Sequence, residues 1–445
     1  MQGYTHAPLR HLFSLLAPNA ILWTEMEKVR DLQAAILEAK EGNMVPLTKR
    51  FGTPAGDHAR DQPPPPVLQL GGNDPQAIEA CVSALINDFG YNFPEINLNC
   101  GCPSIEAGGA ADFGASLMKQ PDVTHDAIHA IHRGCQSSSS SSISTTVVSL
   151  KCRTAVFETV DEMEAILSGG PPSAVKAWKD QQFQTLCKYL SHAQAGGMEH
   201  VIVHARPAVL AGLSSTKNRW IPPLDYDLVE QVAREFPNVR VTLNGGIKGM
   251  EDLDNVVKQQ HQQQQHGDCR VASHMAGRWM LQRPLELAVV QSKYLTTDDD
   301  EDDDVVVAAS SSNAIFATVM DRYMQFVVKS LDRQVHSLHE LCLPLYLMIE
   351  ELREEFDDDP NYDESVCSNQ HLKEAALEAI MPCEEECYGI MKDALEQLSD
   401  VLPSSKKAKV LPVDVNWKKL STFLKNLVGT KVYNKWKRNR SELVS

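Results

Sequence analysis

The chain has 445 residues, 43% of them apolar, and a formal net charge of -17. That length allows two or three domains with a large core, and no apolar run reaches the ~20 residues that would span a bilayer. The eleven cysteines are odd in number and scattered, which argues for reduced thiols rather than a disulfide frame, and the net acidity excludes a uniformly basic nucleic-acid binder.

From the start, "YTHAPLRHLFSLLAPN" at 4–19 reads as a turn and a helix with Leu9, Leu12, Phe13 and Leu16 on one face. Residues 20–24 read as a strand, and 26–42 as a long helix. Residues 52–66 are polar and end in four prolines, a surface loop. Strands are predicted at 67–70 and 95–99, with a helix at 75–88 between them. A helix from Pro121 to near Cys135 precedes the six serines 137–142, which read as a loop. A β-rich segment follows at 145–151, then a polar insertion and a helix within 160–192. Strands at 200–204, 239–244 and 270–276 alternate with helices at 225–235 and 251–260. The Gln/His tract 259–266 reads as a low-complexity loop. Seven strands alternating with helices imply a parallel sheet with helical crossovers. The acidic run 298–304 and the serines 310–312 read as a linker, and the chain is helical from Ile315, with Val319, Tyr323, Phe326 and Val327 on one apolar face. Residues 406–440 carry eleven Lys or Arg against only Asp414, either an RNA-binding tail or a solvated amphipathic helix.

The stretch that concentrates chemistry is "EINLNCGCPS" at 95–104. Ile96 and Leu98 alternate with Glu95, Asn97 and Asn99, the period of a strand, and Gly101 and Pro103 end it. Cys102 thus stands where a strand hands over to a loop. In a barrel of parallel strands that is the catalytic rim. A thiol there serves as nucleophile, metal ligand or acid, or is merely a small buried side chain. The C-x-C spacing of Cys100 and Cys102, with no second Cys/His pair at finger spacing, argues against a metal.

This stretch resembles the signature of the tRNA-dihydrouridine synthases. Further similarities to the A-type branch follow in order: "LWTEM" (22–26), "VLQLGG" (67–72), "FGASLM" (113–118), "LKCR" (150–153), "VIVHARPAVLAGLS" (201–214), "NRWIPPLDYD" (218–227), "LNGGIK" (243–248) and "AGR" (276–278). The resemblance implies an α/β fold, a TIM-type (β/α)8 barrel, followed by an α-helical C-terminal domain. It divides the chain into a catalytic domain at 1–295, a linker at 296–313 and a helical tRNA-binding domain at 314–445. The family's first barrel strand has no counterpart before Tyr4, so the chain is expected to start one strand late.

The resemblance also implies the chemistry, reduction of the C5–C6 double bond of a D-loop uridine (20/20a). FMN would deliver the hydride, with NADPH as reductant, and Cys102 would supply the proton. Gln69, Lys151, His204, Asn244, Gly245, Gly246, Gly277 and Arg278 would hold the cofactor. Asn99, Arg153, Arg206 and Arg219 would meet the tRNA. The chain departs from the family pattern over 105–112, beside Cys102, and at Pro207, where a Lys is common. No metal and no membrane partner are expected. The protein is expected to be monomeric, and cytoplasmic unless a transit peptide precedes Met1. Two rival readings stand beside this one: a tRNA-binding protein impaired in catalysis, and a flavin reductase of a free pyrimidine.

Overall fold

The computed structural model describes residues 4–54, 64–103, 113–136, 146–169, 171–215, 217–265 and 271–296, with single positions between 319 and 347. The serine tract, the acidic linker, the basic tail and most of 314–445 lie outside the described residues.

The chain divides into two compact units. The first comprises Met1–Tyr4, Trp23–His58 and Pro65–Gly277, and the second Thr5–Leu22, Ala59–Pro64 and Arg278–Ser445.

The first unit is an α/β structure built on a seven-stranded parallel sheet. Its strands are β1 (Trp23–Lys28), β2 (Val67–Gly71), β3 (Glu95–Cys100), β4 (Val147–Arg153), β6 (His200–His204), β8 (Arg240–Asn244) and β9 (Val271–Met275), adjacent in that order. Among the described residues, β1 pairs in this sheet with β2 alone and β9 with β8 alone. Two shorter strands, β5 (Val156–Thr159) and β7 (Ala208–Ala211), pair with each other as a separate parallel ribbon.

The central strands β2, β3, β4 and β6 follow the two-residue alternation of a sheet, while the register shifts between Trp23 and Met26 in β1 and between Val241 and Thr242 where β8 meets β9. One face carries Leu68, Leu70, Ile96, Leu98, Cys100, Val148, Leu150, Cys152, Val201, Val203, Val241 and Leu243, which join the flanking helices in one apolar core. The other face carries Gln69, Glu95, Asn97, Asn99, Ser149, Lys151, His200, His204, Thr242 and Asn244. Most of these polar groups are also buried, Asn97 and Ser149 completely. The alternation in "EINLNC" thus separates an apolar core from a buried polar face, not core from solvent. Helix starts are capped as their sequences dictate. Asp74 accepts from the backbone N–H of Gln76 and Ala77, and Asp225 from that of Leu228.

Three expectations are corrected. The first strand lies at 23–28 rather than 20–24, because its parallel pairing with β2 (Met26 with Gln69, Lys28 with Gly71) carries the backbone through polar Glu-Met-Glu-Lys. The helix expected from 26 accordingly spans Val29–Lys40, and a second, Val45–Phe51, follows it. The Gln/His tract is helical as far as Gln265, since the helix that begins at Met250 propagates through glutamines, which are good helix formers.

In the second unit the helix Ala7–Leu16 buries Leu9, Leu12 and Leu16, and His11 stacks on Phe326 at 4.2 Å between ring centroids. The Asn19 N–H donates to Gln291 Oε1 at 3.1 Å. Val319, Tyr323, Val327, Leu341 and Leu347 are buried, and the Tyr323 hydroxyl donates to the Leu341 carbonyl at 2.8 Å.

Candidate active site

The parallel arrangement brings the C-terminal ends of β2, β3, β4, β6 and β8 to one rim of the first unit. Cys102 lies just beyond β3, where Asn99 pins the turn. Asn99 Oδ1 accepts the N–H groups of both Gly101 and Cys102 at 3.1 Å, while its Nδ2 donates to Gln69 Oε1 at 3.1 Å. Gln69 Nε2 passes the chain to Asn97 Oδ1 at 3.0 Å, and Asn97 Nδ2 to Ser149 Oγ at 2.8 Å. Four side chains on three strands thus orient one another and the thiol's backbone. From the far side the Cys102 carbonyl accepts the Ala115 N–H at 2.9 Å. The preceding Gly114 has φ +79°, and a Cβ there would collide with that carbonyl, so glycine is required on both counts.

Lys151 is in register with Asn99 across β3 and β4, and its Nζ donates to Asn244 Oδ1 at 2.9 Å. Burial, aided by the nearby Arg153 charge, lowers its pKa from 10.5 to about 8. Asn244 Nδ2 in turn donates to the Met275 carbonyl at 2.8 Å. Gly245 and Gly246 follow with φ +102° and +84°. A Cβ on Gly245 would stand 2.9 Å from the His204 ring, and one on Gly246 would strike the Tyr226 hydroxyl. That hydroxyl donates to the Gly245 carbonyl at 2.8 Å.

Two arginines are committed to backbone carbonyls. Arg153 is buried; its Nε donates to Gly101 O at 3.0 Å and its Nη1 to Pro207 O and Asn218 O at 3.2 and 3.1 Å. Arg206 Nη1 donates to the carbonyls of Trp220 and Pro222, and burial lowers its pKa. Arg219 is half-buried in the short turn Lys217–Arg219. Gly277 closes the first unit, whereas Arg278 opens the helix Arg278–Gln282 of the second. The departure at 105–112 lies outside the described residues.

The sequence did not single out Asn97, Ser149, Gly114, Tyr226 or Asn218. Asn97 could have been found from its place two residues before Asn99. Asn218 opens the motif at 218–227, but the motif assigns it no role; it is buried and pins its own loop by donating to Val209 O at 2.9 Å.

The opposite end of the same strands holds a second buried polar cluster. Glu95 faces His200 Nδ1 at 2.9 Å and takes an N–H from Arg240 at 2.6 Å. His200 Nε2 meets Thr242 Oγ1 at 2.7 Å, and that hydroxyl meets Ser273 Oγ at 2.5 Å. Arg240 Nη2 also approaches His200 Nδ1, at 2.8 Å; with Glu95 Oε2 as the acceptor of the Arg240 N–H, Nδ1 is left to donate to the carboxylate. Burial pushes the Glu95 pKa up, but His200, Ser149 and Arg240 more than offset this and hold it below the usual value. Among the described residues, no His/Cys/Asp/Glu group of three or more is arranged to hold a metal, and no helix is long and apolar enough to cross a membrane.

The rim therefore combines a thiol on a pinned turn, a row of buried amides, a cation of lowered pKa and a left-handed glycine turn. The family model for dihydrouridine synthases (Dus) matches residues 1–165 and 150–379. The chain belongs to the dihydrouridine synthase family. Similar proteins include a "tRNA-dihydrouridine(20/20a) synthase" of Pasteurella multocida, 31% identical over 65% of this chain and 70% of its own length. Proteins of the same description from Yersinia pestis (32% identical, 58% of this chain and 60% of the relative) and Xylella fastidiosa strain 9a5c (34%, 58% and 62%) are also similar. The chain thus spans about 60–70% of the length of these dihydrouridine synthase relatives. All the rim residues of the first unit named above fall within the stretches matched by the family model.

Proposed function

We propose that this chain is a tRNA-dihydrouridine synthase that reduces the C5–C6 double bond of a D-loop uridine, position 20 or 20a, using FMN and NADPH. The observation that carries this reading is the convergence at one rim of Cys102, the Gln69–Asn99 amides, Lys151 and the Gly245-Gly246 turn, in a chain of this family. We further read the parallel sheet as part of a TIM-type barrel and the helical second unit, with its basic tail, as the part that grips tRNA.

The residues present fit a flavin mononucleotide. Lys151 is a cation whose described partner is an amide, not a carboxylate, which suits a ring that gathers negative charge on reduction. The Gly245-Gly246 turn has no room for a Cβ, which suits close approach of backbone to a phosphate. Gln69 and His204 would hold the ring edges. Bound and reduced by NADPH, FMN supplies the hydride that C6 of the uracil requires.

The chain's own residues do the rest. Cys102 Sγ gives a proton to C5 as charge develops there, the work of a general acid. Asn99 holds the thiol in reach by fixing the N–H groups of Gly101 and Cys102, and the amide chain through Gln69 and Asn97 keeps Asn99 from rotating. Lys151, with its pKa lowered to about 8, offers both a cation and an N–H donor. Arg153 supports the Cys102 turn through the Gly101 carbonyl, and Arg219 remains a candidate for a phosphate contact.

The test is conversion. Purified protein loaded with FMN and given NADPH and an unmodified tRNA transcript should add the mass of two hydrogens to a D-loop fragment. Flavin-loaded protein that leaves every uridine unreduced would overturn the reading.

A further inference from the structure

The segment that follows β7 is rigidly built for a surface loop. Asn218 is fully buried and ties Val209, Leu213 and Ser214 to the turn Lys217–Arg219 through its side chain. The Trp220 N–H donates to Lys217 O at 3.0 Å, and Arg206 takes the carbonyls of Trp220 and Pro222. This framework leaves Ile221 46% exposed beside a half-buried Trp220. Across from it, the Lys248 ammonium, four residues past the end of β8, sits 5.1 Å from the centre of the Trp220 ring. Trp220 and Lys248 thus stand on the loops that follow β7 and β8, beside the Gly245-Gly246 turn.

We propose that Trp220, flanked by Ile221 and Lys248, is a stacking platform for an unpaired nucleobase next to the uridine being reduced. The inference rests on the tRNA reading above and adds a specificity residue to it. A uridine reaches a recessed site only if it leaves its stack, and its neighbours then lose stacking partners. An indole replaces that partner for any base, because every base has a π face. Rigidity makes the platform effective, since the carbonyls held by Arg206 order it before RNA arrives. Lys248 is exposed on a flexible stem. It can leave the ring for the phosphate of the stacked nucleotide without breaking a buried contact.

The test compares wild type, Trp220→Ala, Trp220→Phe and Lys248→Gln, all flavin-loaded. NADPH oxidation without RNA serves as a control that none should change. Wild type must first reduce uridine in a tRNA transcript; if it does not, the tRNA reading itself fails. Given that activity, Trp220→Ala should raise KM for tRNA about tenfold to a hundredfold with kcat little changed. Trp220→Phe should recover most of the loss, because a phenyl ring still stacks. Lys248→Gln should flatten the salt dependence of tRNA binding by roughly one phosphate contact, and Trp220→Ala should leave that slope intact. An unchanged KM in Trp220→Ala would overturn the proposal. So would a Trp220→Phe variant as impaired as the Ala variant, since the indole would then serve the fold and not the base.

Discussion

Asn99 gives the sharpest test of how the site is built. Asn99→Ala removes one acceptor that serves two backbone N–H groups and one donor that serves Gln69. Gly101 is buried and Cys102 half-buried. A buried N–H left unpaired costs about 1–3 kcal/mol, so the two together should cost about 2–4 kcal/mol, with the more solvated Cys102 N–H at the low end. The thiol should also lose its fixed position, and dihydrouridine formation should fall further than stability alone explains. Asn99→Asp separates these effects. The aspartate keeps the oxygen that pins Gly101 and Cys102, so the turn should survive. It cannot donate to Gln69, so the amide chain must run backwards. Gln69 and Asn97 would turn over, and the Ser149 hydroxyl, which otherwise helps hold Glu95, would have to donate to Asn97 instead. The Asp variant should therefore keep a near-wild-type alkylation rate at Cys102 when compared at a pH where the thiol is fully ionised, while still losing stability. The assay is urea unfolding, thiol alkylation and single-turnover uridine reduction on the three proteins. An Ala variant that unfolds at the wild-type urea concentration and reduces uridine at the wild-type rate would refute the reasoning.

Other predictions follow from the same geometry. Cys102→Ala should keep its flavin colour and lose about 10²–10⁴-fold in single-turnover uridine reduction. Cys100→Ala should affect stability only, because Cys100 is fully buried on the apolar face. Lys151 is lowered from 10.5 to about 8 in the folded state, so the unfolded chain binds its proton more tightly. Stability should then rise between about pH 8 and 10.5 by at most about 3 kcal/mol, and denaturation curves of Lys151→Met should lack that increment relative to wild type. Glu95 is held below its ordinary value, so its contribution is present at neutral pH and lost as pH falls through the folded value. Glu95→Gln removes the carboxylate that faces buried His200, while Arg240, 41% exposed, can turn to solvent; the change should cost about 1–3 kcal/mol at pH 7. Its acid-unfolding curve should be flatter than that of wild type; an unshifted curve would show that the cluster contributes nothing.

What the sequence by itself determined is local. Two-residue alternation marks β3, where Ile96 and Leu98 alternate with Glu95, Asn97 and Asn99, because a strand's side chains must face opposite ways; the other strands are marked as short apolar or β-rich runs between helices and breakers. Gly101 and Pro103 mark the turn at Cys102, because breakers act within one or two positions. What only the tertiary structure decided lies between distant residues. Glu95 and His200 meet across 105 positions, and Lys151 and Asn244 across 93. The β5–β7 ribbon and the shift of β1 to 23–28 are likewise set by pairing partners, not by composition. So is the burial of Arg153: carbonyls from 101, 207 and 218 collect around one guanidinium. The N-terminal helix belongs to a unit completed by residues beyond 278. A side chain's type says that it needs a hydrogen-bond partner or an apolar neighbour. Which partner it finds is settled when the strands align, since register alone brings residues a hundred positions apart within 3 Å of one another.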